Sequence, residues 1–74
     1  MKKDICKLFG KKIRKLRHNK GWSQEKLSEV TEFHRTYIGM VERGERNPSL
    51  KSIERFAEAF GLKLDELFTW ENKK

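Results

Sequence analysis

Apolar residues recur every three or four positions along nearly all of this 74-residue chain, and no segment alternates strictly between apolar and polar residues. The observed spacing is typical of helices that bury one face, whereas strict alternation would indicate strands. Residues that favour helix ends interrupt the pattern at Gly21, Gly44, Pro48 and Gly61. The chain is therefore expected to fold as several short helices separated by tight breaks.

Three of the periodic segments begin with a residue whose side chain can accept hydrogen bonds from a first helical turn, namely Asp4, Ser23 and Ser49. Together the caps and breaks predict an all-α fold, a compact five-helix domain with helices at about 4–19, 23–30, 34–43, 49–60 and 63–71. Because 74 residues with 35% hydrophobic content supply one modest core, we expect a single domain spanning residues 1–74.

Several classes of function lack the residues they need. The sequence has no glycine-rich phosphate loop and no Cys/His spacing suited to a metal, so we expect no enzyme, no catalytic residues, no metal site and no cofactor. It also shows no ligand-binding signature and no run of about 18 apolar residues. No apolar signal stretch follows Met1, and the single Cys6 cannot form an internal disulfide. These features predict a cytoplasmic protein without a small-molecule ligand.

The positive charge is concentrated at one end of the chain. The formal net charge is +7, but residues 1–20 carry a net +8 and residues 21–74 a net −1. One-sided basic charge indicates a polyanionic partner, either nucleic acid or an anionic membrane. A membrane is disfavoured because the apolar face of the first helix is needed for the core. Nonspecific nucleic-acid binding through the lysine-rich first helix stays open as an alternative.

The two helices predicted within residues 23–43 are separated only by Thr31-Glu32-Phe33, so they must cross steeply and share a small core. The apolar residues available for that core are Leu27, Val30, Phe33, Ile38 and Val41. This arrangement leaves the outer face of the second helix free, and a free short helix fits the ~12 Å major groove of B-form DNA.

The string Ser23-Gln24-Glu25-x-Leu27, followed by Ile38, Glu42, Gly44 and Pro48, resembles the phage-repressor-type helix-turn-helix family. Within it, residues 34–38 and the string Glu42-Arg43-Gly44-x-Arg46-Asn47 are most similar to the small controller proteins of restriction–modification systems. The resemblance covers about residues 10–68. It implies a transcription regulator that binds an inverted-repeat double-stranded DNA operator as a homodimer. A phage or plasmid repressor and the antitoxin of a toxin–antitoxin pair are the alternatives.

The resemblance also implies roles for individual residues. The DNA-binding set that it implies is Gln24, His34, Arg35, Thr36, Tyr37, Met40, Arg43, Arg46 and Asn47. Arg35 and Thr36 would read base edges, with a phosphate contact as the alternative for Arg35. Tyr37 and Met40 suit either base contacts or core packing. The remaining polar residues suit phosphate contacts or a solvated surface.

Two further roles concern structure instead of DNA. Glu42 is expected to form a structural ion pair with Arg17 of the first helix. The C-terminal helices, residues 49–71, are expected to supply core and dimer contacts. The dimer residues predicted there are Leu62, Leu67, Phe68 and Trp70. Trp70 as a cap on the monomer core and an apolar surface for a protein partner are the alternatives.

Two positions depart from the family pattern. Glu32 occupies the turn position where the family usually has glycine, and a left-handed backbone there would cost about 1 kcal/mol. Gly39 lies inside the predicted recognition helix, where it costs about 1 kcal/mol relative to alanine. It would permit close approach to DNA, and it also removes a side chain that could read bases.

Overall fold

The computed structural model describes residues 4–70 and contains five helices, with no strand in that range. The helices are α1 (Ile5–Asn19), α2 (Gln24–Thr31), α3 (Arg35–Glu42), α4 (Leu50–Phe60) and α5 (Leu64–Leu67). The predicted all-α, five-helix fold is therefore confirmed. The last helix is shorter than the predicted 63–71, and residue 71 lies outside the described residues. None of the helices within residues 4–70 is long and apolar enough to cross a membrane.

Side chains cap the helices where the sequence indicated. The Asp4 carboxylate accepts from the backbone N–H groups of Cys6 and Lys7, and the Ser23 hydroxyl accepts from that of Lys26 at 3.0 Å. The Ser49 hydroxyl accepts from the backbone N–H of Ser52 at 3.1 Å. Each cap satisfies donors that have no partner within the helix, which explains why the helices begin at these positions.

The core lies where α1 and α4 enclose the α2–α3 pair. Its buried apolar side chains are Phe9, Ile13, Leu27, Ile38, Val41, Phe56, Ala57, Phe60 and Leu67. Phe56 is at its centre, with ring-centroid distances of 6.0 Å to Phe9 and 5.1 Å to Phe33. Aromatic pairs at such distances add to the stabilisation from burial.

Three apolar residues are exposed although their helical spacing would place them toward the core, and of these Val30 was predicted above to lie in it. Val30 is 40% exposed because Thr31 takes the inner position on α2, where its hydroxyl donates to the Leu27 carbonyl at 2.8 Å and so loses no hydrogen bond on burial. Ile5 and Leu50 lie in the first turns of α1 and α4 and are 55% and 83% exposed. Helical periodicity therefore identified the helices correctly but not every residue on their buried faces.

The connection between α2 and α3 contains a residue with a left-handed backbone. Glu32 has φ 68° and ψ 14°, which answers a question that the sequence left open. Its N–H donates to the Ser28 carbonyl, and the Ser28 hydroxyl donates to the Phe33 carbonyl. These bonds close the turn, and the break covers residues 32–34, one residue later than predicted.

Candidate nucleic-acid interface

Helix α3 presents one polar face while its other face enters the core. Ile38, Val41 and Glu42 are buried, whereas Arg35 and Thr36 at the start of the helix are exposed. The Nδ1 atom of His34 accepts from the backbone N–H of Thr36 at 3.2 Å and caps the helix. The two residues predicted to read bases therefore lie at the exposed, capped N-terminus of α3, where side chains can reach base edges.

A buried polar network connects α3 to α1 and α2. The Arg17 Nε donates to Glu42 Oε2 at 2.7 Å, and Arg17 Nη2 donates to Glu42 Oε1 at 3.1 Å, so the predicted ion pair is present. Arg17 Nη1 also donates to the Trp22 carbonyl at 2.9 Å. Because both charges are buried, these hydrogen bonds are needed to offset the cost of removing them from water.

Gln24 belongs to the same network. Its Nε2 donates to Glu42 Oε1 at 3.1 Å, so the carboxylate orients the first residue of α2. Gln24 and Arg43 both lie close to Gly39, since a Cβ built at Gly39 would be 3.9 Å from Gln24 Oε1 and 3.1 Å from Arg43 Nη1. The missing side chain at Gly39 thus allows two residues predicted to contact DNA to lie next to the backbone of α3.

Two of the arginines predicted to contact DNA lie beside acidic residues. Arg43 donates to Glu45 through Nε at 3.0 Å and Nη2 at 3.1 Å. This hydrogen-bonded pair raises the pKa of Arg43 and lowers the pKa of Glu45. Arg35 Nη1 lies 3.9 Å from Glu25 Oε2, also at the exposed surface. Sequence reasoning did not predict either acid as an arginine partner, although Glu25 and Glu45 both lie within the two motif strings quoted above.

Tyr37, Arg46 and Asn47 line one concave surface of about 560 Å³ beside α3. The Tyr37 ring packs on Phe33 with centroids 4.9 Å apart, and the Arg46 guanidinium lies 5.8 Å from the Tyr37 ring centroid. The ring is half-buried, so Tyr37 packs against the core at one edge and borders the surface at another. Met40 is half-buried further along α3.

The residues predicted at the dimer interface differ in how deeply they are buried. Leu67 is fully buried in the core of the single chain, so we correct its assignment from interface to core. Leu62 is half-buried and packs against the same core. Phe68 remains 39% exposed, while its ring packs on Phe9 at 5.6 Å and on Trp70 at 6.0 Å.

An apolar groove instead follows α4 and α5. It is lined by Leu50, Lys51, Ile53, Glu54, Leu64 and Phe68. Leu50 and Leu64 were not predicted to lie at an interface, but they are the large apolar side chains most exposed along it. No group of His, Cys, Asp and Glu residues within residues 4–70 could hold a metal ion.

Comparison with known proteins identifies the family. A helix-turn-helix family model matches residues 13–67, which include all of α2, α3, α4 and α5. The chain belongs to the helix-turn-helix family. The match covers most of the chain. It includes Arg17, Gln24 and Glu42, so both the buried polar network and the polar face of α3 lie within the matched residues.

This helix-turn-helix protein is similar to several restriction–modification controller proteins. It is 46% identical over 68 residues to the control protein C.BamHI of Bacillus amyloliquefaciens, covering 90% of this chain and 84% of that protein. The structure of the controller protein C.AhdI of Aeromonas hydrophila superposes with a TM-score of 0.81 at 44% identity, covering 85% of this chain and 96% of that one.

A third relative has been solved with DNA. The controller protein C.Esp1396I, as a tetramer in complex with its natural 35 base-pair operator, matches with a TM-score of 0.81 at 30% identity, over 90% of this chain and 88% of that one. The resemblance to controller proteins predicted from the sequence is thus confirmed. The helix-turn-helix protein is a DNA-binding transcription regulator that resembles them.

Proposed function

We propose that this regulator binds an inverted-repeat double-stranded DNA operator as a homodimer in the cytoplasm, as the controller protein of a restriction–modification system. The observation that carries the proposal is the exposed N-terminus of α3, which the buried network of Arg17, Glu42 and Gln24 holds in one orientation. A rigidly held, exposed helix end is what major-groove readout requires. The protein acts by binding and has no catalytic role.

The residues of this surface divide into base-reading and phosphate-binding groups. Arg35 and Thr36 contact base edges, since the guanidinium fork matches the two acceptors of guanine. His34, Tyr37 and Met40 border this contact. Gln24, Arg43, Arg46 and Asn47 contact phosphates, which position the protein without reading sequence. Arg43 must exchange Glu45 for a phosphate when it does so.

The second copy occupies the apolar groove along α4 and α5. Leu50 is 83% exposed and Leu64 is 49% exposed, and burying both against a twofold-related copy removes apolar surface from water. Phe68, which was predicted at the interface, borders the same groove. Trp70 lies at the far side of Phe68, against α1. Two copies of α3 would then read half-sites about one helical turn apart.

Selection from a random duplex library at near-physiological salt tests operator binding. We expect recovery of an inverted repeat with half-sites about 34 Å apart. Recovery of DNA with no shared sequence would overturn sequence-specific readout. Sedimentation of Leu50→Glu tests the interface: the variant should remain monomeric at concentrations where the parent dimerises. Val30→Glu, which changes another exposed apolar residue, is the matched control and should dimerise normally.

A further inference from the structure

Helix α1 contains six Lys and Arg residues and no Asp or Glu, and three of these cations are engaged by the rest of the chain. Arg17 forms the buried pair with Glu42. Lys12 Nζ donates to the Thr69 carbonyl at 2.7 Å, and Lys15 also has a partner within the chain. The other three cations carry the positive charge of α1 that the fold itself does not use.

The three remaining cations, Lys7, Lys11 and Arg14, share one face of α1. All three side chains are exposed, and none has a hydrogen-bond or ion-pair partner within residues 4–70. Their spacing of four and then three residues places them next to one another in successive turns. They extend over about 10 Å of the helix axis, at 1.5 Å per residue. We call this face the basic stripe.

The basic stripe runs beside the contact between α1 and α3. Lys7 and Arg14 lie three residues before and four residues after Gly10, so both flank the point where α1 meets the backbone of α3. A Cβ built at Gly44 would be 2.9 Å from Lys7 Cα, so the turn that follows α3 lies directly against α1. Gly44 comes immediately after Arg43, which is assigned above to a phosphate. The basic stripe therefore continues the proposed phosphate contacts from the end of α3 onto α1.

The acids beside the basic stripe do not cancel its charge. Asp4 lies next to Lys7 and Lys11, but its carboxylate accepts from backbone N–H groups in the first turn of α1. The Glu45 carboxylate, just after the Gly44 turn, accepts from Arg43. Three exposed cations thus lie beside one carboxylate that caps a helix, and the stripe presents net positive charge to a ligand.

A row of separated cations suits a ligand whose negative charges are also arranged in a row. Phosphates follow one another at about 3.4 Å along the axis of a duplex strand, so a stripe of about 10 Å faces about three of them. Continuity with Arg43 favours the duplex already bound over a separate acidic partner. We propose that the basic stripe binds the phosphate backbone of the same operator duplex that α3 reads. This inference rests on the proposed function, and it adds contacts that strengthen binding to every sequence.

The double variant Lys7→Gln/Arg14→Gln tests the proposal, with fluorescence anisotropy of the selected operator and of a random duplex over a range of salt concentrations. At near-physiological salt it should bind both duplexes at least tenfold more weakly than the parent. Its slope of log affinity against log salt should be shallower by about 2, since each phosphate contact contributes about 0.9. The matched control is Lys26→Gln/Lys63→Gln, which removes two exposed charges from α2 and from the start of α5. The control should keep the parental slope and an affinity within twofold of the parent.

Three results would overturn the proposal. The first is parental affinity and slope in the Lys7/Arg14 variant, and the second is a loss confined to the operator, which would indicate contact with bases. The third is a variant that loses affinity for poly-glutamate but not for duplex DNA, which would assign the stripe to an acidic protein. The parent protein tests the operator function separately. A parent without sequence preference contradicts operator readout, whereas a variant that keeps the preference but binds all duplexes more weakly supports the stripe.

Discussion

Gly10 of α1 lies directly against the carbonyl group of Glu42 at the end of α3. A Cβ built at Gly10 would be 2.7 Å from the Glu42 carbonyl oxygen and would also overlap that of Val41. Both neighbours are backbone atoms, which cannot move aside as the end of a flexible side chain can. The close crossing of α1 and α3 also brings Arg17 within hydrogen-bonding distance of Glu42. The orientation of the recognition helix therefore depends on the absence of one side chain.

We expect Gly10→Ala to destabilise the fold by about 1–3 kcal/mol, because the added methyl group forces α1 and α3 apart. Urea denaturation followed by circular dichroism measures the change. Gly39→Ala is the matched control, since Gly39 is also buried and helical but a Cβ there would meet only side-chain ends, namely Arg43 Nη1 at 3.1 Å and Gln24 Oε1 at 3.9 Å. Alanine should gain up to about 1 kcal/mol there through helix propensity. Equal losses at both positions would contradict the explanation.

Removing one charge of the Arg17–Glu42 pair should cost about 3–5 kcal/mol, because the other charge is left buried without its partner. Glu42→Gln tests this in a denaturation experiment. The double variant Arg17→Met/Glu42→Leu should recover most of the lost stability, since it buries no unpaired charge. It should nevertheless bind the operator more weakly, because Gln24 loses its acceptor on Glu42. A double variant with both parental stability and parental operator affinity would show that the pair is dispensable.

Glu32→Gly should stabilise the protein by about 1 kcal/mol, because glycine adopts the left-handed conformation at φ 68° without the steric cost of a Cβ. The midpoint of thermal unfolding should rise accordingly. Glu32→Ala is the control, since alanine removes the carboxylate and keeps the Cβ. A similar gain in both variants would mean that the charge of Glu32, and not its backbone, is unfavourable.

The Arg43–Glu45 pair should be detectable in the pH titration of the Glu45 carboxyl group. Because the hydrogen bonds from Arg43 lower the pKa of Glu45 in the folded protein, the pair stabilises the fold at neutral pH. This stabilisation is lost as the pH falls through the lowered pKa. NMR titration of the Glu45 side-chain carbon should give a midpoint below the ordinary range for glutamate. Arg43→Gln should return the midpoint to that range, and an unchanged midpoint would exclude the pair in solution.

Arg35→Ala should weaken binding to the selected operator by about 1–3 kcal/mol and reduce the preference over random DNA. The reason is that a guanidinium paired with guanine carries sequence information, whereas a phosphate contact does not. Arg46→Ala is the comparison and should weaken operator and random DNA equally. Competition binding at fixed salt measures both ratios. Equal losses for Arg35→Ala on the two kinds of DNA would reassign Arg35 to a phosphate.

Local signals in the sequence were sufficient for the helices but not for the ion pair between α1 and α3. Asp4, Ser23 and Ser49 are caps because their side chains bond backbone groups two or three residues away, so neighbouring sequence alone decides their role. The Arg17–Glu42 pair is 25 residues apart and was predicted only through the family resemblance. The partners of Arg35 and Arg43 could not be chosen in advance, because several acids lie within reach of each arginine in the sequence.

The sequence by itself determined an all-helical chain, the helix starts and the position of the helix-turn-helix unit, since these depend on spacing and on contacts within one turn. Only the tertiary structure decided which residue of each helix is innermost. Thr31 replaces Val30 at the core, Leu67 is fully buried and Leu50 is exposed. These outcomes depend on how helices distant in the chain cross. One such crossing, that of α1 and α3, is a backbone contact at Gly10, where a missing side chain leaves no apolar pattern to detect.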